Sequence, residues 1–141
     1  MSYKFPKVTL NKDGLFGPTQ NDNYYKPVAY HNKTAAISKH KTTWVLKQNE
    51  QYEAFRISDE EKWECIKNKG LFSILDKGGV IMGTNEERLS YFPKPVNAKD
   101  PYHGYPVDSG EYEPSVELVD KWLKDEIIDN RIHIKILKGQ I

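Results

Sequence analysis

The sequence predicts an α+β domain, and three observations carry that prediction. Short segments of strand composition alternate along the chain with two stretches that carry helical signals. Glycine- and proline-bearing turns separate them. Apolar residues make up only 38% of the chain, but they include five Phe, nine Tyr and three Trp, whose rings remove a large area from water. The expected architecture is an antiparallel sheet of about four to five strands packed against two main helices in two layers, with a long ordered proline-rich loop. At 141 residues the chain fits one domain, 1–141, with an irregular basic part at 1–41 and an α+β core at 42–141.

The elements follow in order. Residues 1–41 hold turn signals at Asn11-Lys12-Asp13-Gly14 and Gly17-Pro18 and a polar run from 19 to 23. Val8-Thr9-Leu10 fits a short strand, and 33–38 a turn of helix. Residues 42–47, with Thr42, Thr43, Trp44 and Val45, have strand composition. Residues 51–57 alternate, so 42–47 and 51–57 read as a hairpin joined at Gln48-Asn49-Glu50. Ser58-Asp59-Glu60-Glu61 has the form of a capping box, which predicts a helix over 59–69 stopped by Gly70. Cys65 then falls on its apolar side. Residues 71–75 and 80–84 flank Asp76-Lys77-Gly78-Gly79 as a second hairpin. Leu118, Val119, Trp122, Leu123 and Ile127 fall at helical spacing and predict a helix over 114–127. Residues 131–137 close the chain as a strand, with Ile132, Ile134 and Ile136 on its buried face and Arg131, His133 and Lys135 on the other. The predicted core is Trp44, Phe55, Trp63, Leu71, Ile74, Val119, Trp122, Ile132 and Ile134.

Composition excludes several function classes. The single cysteine, Cys65, rules out a disulfide within the chain and a cysteine-based metal cluster. No apolar run is long enough for a membrane span or a signal peptide, so a cytoplasmic protein with no membrane partner is expected. The four histidines, at 31, 40, 103 and 133, lack zinc-site spacing, and no P-loop or dinucleotide glycine pattern occurs; no metal and no cofactor is expected. His40-Lys41-Thr42 has the shape used in pairs by two-histidine phosphoesterases, but the second copy is absent, since His133-Ile134 is followed by Lys135. Net charge is +1 and unevenly spread. Residues 1–47 hold eight lysines and two acids, and residues 108–129 hold eight acids and two lysines. Either the two regions neutralise each other, or one face is basic and meets an anion.

Three constellations are candidate sites. The first is the segment 91–107, which carries four of the eight prolines and through which no regular helix or interior strand can be drawn. Phe92, Val96 and Val107 make it look built to pack. If it is ordered, Lys94, Tyr102, His103 and Tyr105 are held in place, with Gly104 allowing close backbone approach. The second is the basic face of the last strand. Arg131 and Lys135 suit a phosphate backbone, and His133 could join His103 as an acid–base pair. The third interleaves lysines and rings before residue 45, centred on Lys39, His40 and Lys41, and suits single-stranded nucleic acid. Each has a plainer reading: prolines fixing a crossing with His103 satisfying a carbonyl, a solvated strand face, and chance clustering of tyrosines. The sequence therefore points to a small soluble binding module that docks a protein or an anionic ligand through 91–107 and adjacent basic surface. Immunity, inhibitor and phage accessory proteins have this size and plainness. The alternative is a metal-independent, toxin-like ribonuclease using His103 and His133, with RNA as the partner. No spacing decides whether the chain is an enzyme.

Overall fold

A computed structural model describes residues 3–27 and 43–141. The class is α+β, with a four-stranded antiparallel sheet and three helices. Helix α1 spans Gln48–Glu60. Strands β1 (Glu64–Cys65), β2 (Gly70–Ile74), β3 (Leu89–Pro93) and β4 (Tyr105–Val107) pair in the order β1-β2-β3-β4. Helices α2 (Val116–Lys124) and α3 (Asn130–Leu137) end the chain. Among the described residues, no helix is long and apolar enough to cross a membrane.

Side-chain alternation along β2 and β3 assigns the two faces of the sheet. Phe72 and Ile74 pack with Leu89, Tyr91, Trp63 and the inner residues of α2 and α3: Leu118, Val119, Trp122, Ile132 and Ile136. Leu71 and its cross-strand partner Phe92 pack instead with Tyr52, Ala54 and Phe55 of α1, and with Phe16, Tyr25, Trp44 and Met82. Helices therefore cover both faces, where the sequence predicted one covered face and two layers.

Several elements differ from expectation. The predicted strand 51–57 is the body of α1. Its buried residues Gln51, Tyr52, Phe55, Ser58 and Asp59 follow the helical repeat. Glu50 opens this helix by accepting from the Lys47 N–H at 2.8 Å. The proposed capping box falls at the helix end, where the Ser58 hydroxyl donates to Phe55 O. Lys62 then takes a left-handed conformation (φ 57°), while Lys62 N and Trp63 N donate to Asp59 O and Ser58 O. That is a Schellman closure with lysine where glycine is usual. The predicted helix 59–69 is replaced by this closure and by the β1–β2 turn, with Cys65 buried in β1.

Strand 42–47 reduces to a single bridge, Trp44 to Gly83, and Thr42 lies outside the described residues. Residues 80–84 form no strand, and Val8–Leu10 none either. Asp76, Lys77 and Gly78 make a left-handed turn (φ 52°, 54° and 86°) rather than a hairpin turn. The expected last strand is α3. Asp129 caps it by accepting from Ile132 N at 2.9 Å, and Ile132 and Ile136, four apart, face inward. Ile134 is 49% exposed, while the other eight predicted core residues are buried. The segment 91–107 is not one irregular loop. Its start belongs to the interior strand β3 and its end is edge strand β4, where Pro106 is tolerated. Phe92 and Val107 are buried, but Val96 is 99% exposed.

Candidate functional site

The irregular stretch 94–104 lies against the α1 face. Tyr102 N donates to Tyr24 O, Lys26 N donates to Tyr102 O, and the Tyr102 ring packs 4.9 Å from Phe55. Gly104 passes directly over Phe92. A Cβ there would meet that ring at 2.1 Å, so only glycine fits. Trp44 Nε1 donates to Gly104 O at 3.0 Å. These contacts hold Tyr102 as one wall of a cleft of about 510 Å³.

The other walls come from the end of α1, the β1–β2 turn, the start of the 94–104 stretch and the loop 19–23. Lys62, Lys69 and Lys94 line the cleft, as do Asn21, Asn23 and the acids Asp59 and Glu64. Asp59 is buried and fully engaged. Its carboxylate accepts from the Thr19 hydroxyl at 2.5 Å and from Asn23 Nδ2 at 2.9 Å, while Asn21 Nδ2 donates to Asp59 O. This acid fastens the 19–23 loop to α1 rather than pairing with a lysine. Among the described residues, none of the three lysines forms an ion pair. Burial, reinforced by Asp59 and Glu64, raises the Tyr102 pKa above its ordinary value, so its hydroxyl stays a neutral donor. Lys62 and Lys69 both hold positive φ (57° and 51°), where glycine is cheaper. A larger cleft of about 780 Å³ lies between α3, the turn at 76–79 and residues 85–88. It sets four cations (Lys77, Arg88, Arg131 and Lys135) against five acids (Asp76, Glu86, Glu87, Asp108 and Asp129). Its formal charge is −1, whereas the smaller cleft, with three lysines against Asp59 and Glu64, is +1.

The residues predicted from sequence are thus divided. Lys94 and Tyr102 meet in the lysine cleft. His103 sits beside it, with Nδ1 3.0 Å from Lys26 O. A carbonyl only accepts, so Nδ1 carries the proton. Tyr105 is on the opposite face, where its hydroxyl donates to that of Tyr112 at 3.4 Å. Arg131 and Lys135, four apart on α3, line the larger cleft. His133 leaves them, because alternate residues of a helix do not share a face. Its Nε2 lies 2.8 Å from Asp120 of α2. The basic strand face therefore does not exist, and the two imidazoles have different partners, Lys26 O for His103 and Asp120 for His133. Neither imidazole lines the lysine cleft or the larger one. Lys39, His40 and Lys41 lie outside the described residues. Among the described residues no group of three or more His, Cys, Asp or Glu could hold a metal ion.

Lys62, Lys69, Asn21, Asn23 and Asp59 were not singled out from sequence. The two asparagines sit in the polar run 19–23, and the two lysines sit where a mistaken helix was drawn. The chain matches no family model, no curated protein and no solved structure.

Proposed function

We propose that the protein is a binding module that docks an anionic partner in the cleft of Lys62, Lys69, Lys94 and Tyr102. One observation carries the reading: three lysines from three separate segments converge on one concavity and, among the described residues, neither Asp59 nor Glu64 beside them nor any other carboxylate forms an ion pair with them. Unpaired cations in a cleft raise the local potential and attract anions. The asparagine amides and the neutral Tyr102 hydroxyl add short-range donors beside them. Lysine at two left-handed positions supports the same reading, since the backbone there would be relieved by glycine and the side chain's benefit lies elsewhere.

That last point supplies the test. The triple variant Lys62→Gly, Lys69→Gly, Lys94→Ser removes three charges and relaxes two strained residues. The probe is fluorescein-labelled hexaglutamate, read by anisotropy. The wild type binds it and loses affinity as salt rises from low to physiological ionic strength. The variant keeps its melting temperature, or gains up to about 1 kcal/mol of stability, while its affinity falls at least tenfold. Equal binding by a folded triple variant refutes the assignment.

A further inference from the structure

Two strongly exposed apolar side chains belong to the segments that line this cleft, with nothing over them among the described residues. Val96 is 99% exposed and Ile66 is 79% exposed, the two highest values among the large exposed hydrophobic residues. Ile66 lines the cleft itself, three residues before Lys69. Val96 follows Lys94 by two residues, so chain geometry keeps it within about 7 Å of Lys94 along the backbone. Lys94 N donates to Lys69 O at 3.2 Å, which ties the two tips side by side. Pro93 and Pro95 stiffen the second tip against collapse onto the surface. Isolated exposed apolar residues are ordinary. Two on segments tied together in this way, beside Lys62, Lys69 and Lys94, form a mixed surface with a definite chemistry.

A small inorganic anion needs the lysines and nothing more. A polyphosphate backbone gains little from aliphatic side chains, because bases stack on rings. A planar lipid surface reaches the tips but not the concave walls that hold Lys62 and Tyr102. An acidic polypeptide segment matches every part. Its carboxylates meet the lysines, and its apolar side chains cover Ile66 and Val96 and reach the Tyr102 ring. We infer that the partner docked here is an acidic peptide segment carrying bulky apolar side chains between its carboxylates. The inference rests on the anion-binding reading of the same cleft.

Two labelled peptides separate them: Glu-Leu-Glu-Glu-Leu-Glu and Glu-Ser-Glu-Glu-Ser-Glu. Covering one leucine on an apolar tip contributes about tenfold in affinity, so the leucine peptide binds about tenfold more tightly or better. Val96→Ser and Ile66→Ser, at exposed positions that leave the fold intact, each reduce that advantage. Val96→Ser leaves the affinity for the serine peptide unchanged. If both peptides bind equally, the apolar tips play no part and this inference falls, while the anion-binding reading stands. If neither binds, both fall. Sedimentation with phosphatidylcholine–phosphatidylserine vesicles completes the test. Vesicle binding that Val96→Ser abolishes, together with peptides that bind equally, overturns the inference in favour of a lipid surface.

Discussion

On the α2/α3 face, Trp122 packs edge-on against Trp63 with centroids 5.5 Å apart, amid Leu118, Val119, Ile132 and Ile136. On the α1 face, rings are stitched by polar bonds between residues far apart in sequence: Tyr25 to Gln51, Trp44 to Gly104, Asp59 to Thr19 and Asn23. The first face is held by apolar area contributed by two neighbouring helices. It even leaves the Trp122 indole N–H buried without an acceptor among the described residues. The second adds to an apolar cluster of its own a few hydrogen bonds that each fix one loop in one position. Dispersion and the hydrophobic effect are non-directional and stabilise the sheet. Directional bonds cost more if broken, but they place Tyr102, Gly104 and the 19–23 loop well enough to shape a cleft. The α1 face supplies position in addition to stability.

The largest effects test whether the faces are separable. Phe92 is fully buried and touches Tyr25, Trp44 and Phe55 while lying beneath Gly104. Phe92→Ala and Trp122→Ala each cost about 3–5 kcal/mol in chemical denaturation, as large-to-small changes at filled sites do. Their amide exchange patterns differ. Phe92→Ala deprotects 19–26 and 102–104 first, whereas Trp122→Ala deprotects α2 and α3. Identical patterns for the two variants mean that the faces melt as one unit and the comparison fails.

Next in size is Asp59. Asp59→Ala leaves the Thr19 hydroxyl and the Asn23 amide without their acceptor and costs about 2–3 kcal/mol. Most of the loss falls on the 19–23 loop, so exchange there rises more than in β2 or β3. Asp59→Asn keeps the volume and one carbonyl acceptor, and recovers part of the stability. An Asp59→Ala variant that is as stable as the wild type removes the keystone role of this acid.

The same contrast explains what could be read from the sequence. Helix α2 was legible because Leu118, Val119 and Trp122 form an apolar stripe of helical period, and β2 because Leu71 to Leu75 is a short buried run. Helix α1 was not legible because its inward face carries Gln51, Glu53, Ser58 and Asp59. Those are the partners of the polar bonds on that face. Glu53 is buried only because Arg56 clasps it with two nitrogens at 2.8 Å, an embrace that raises the guanidinium pKa further. Helix α3 was misread for the opposite reason. Ile132, Ile134 and Ile136 alternate, and isoleucine favours strands, but burial selects only the two that are four apart. Asp129, three residues before Ile132, is a capping signal that the strand pattern hides. Lys94 and Tyr102 were found because proline crowding drew attention to their segment. Lys62 and Lys69 were missed because no sequence signal announces a lysine in a left-handed turn.

The smallest effect sharpens the comparison through pH. Tyr25 is buried, and its hydroxyl donates to Gln51 Oε1 at 2.8 Å. Desolvation raises its pKa well above the ordinary 10.0. The folded state therefore keeps this proton at pH values where the unfolded chain has lost it. The associated stability is complete below about pH 10 and drains away as pH climbs higher, by up to about 1.4 kcal/mol per unit for this tyrosine. Burial shifts Tyr52 and Tyr102 on the same face in the same direction, and Tyr91 on the other. Tyr25→Phe removes one hydrogen bond and orphans Gln51 Oε1, costing about 1–2 kcal/mol at neutral pH. It also flattens the alkaline limb of the stability curve, so wild type and variant converge as pH rises past 10. Curves that stay parallel through that range mean that Tyr25 ionises freely in the folded protein, and that the α1 face is wetter than its packing indicates.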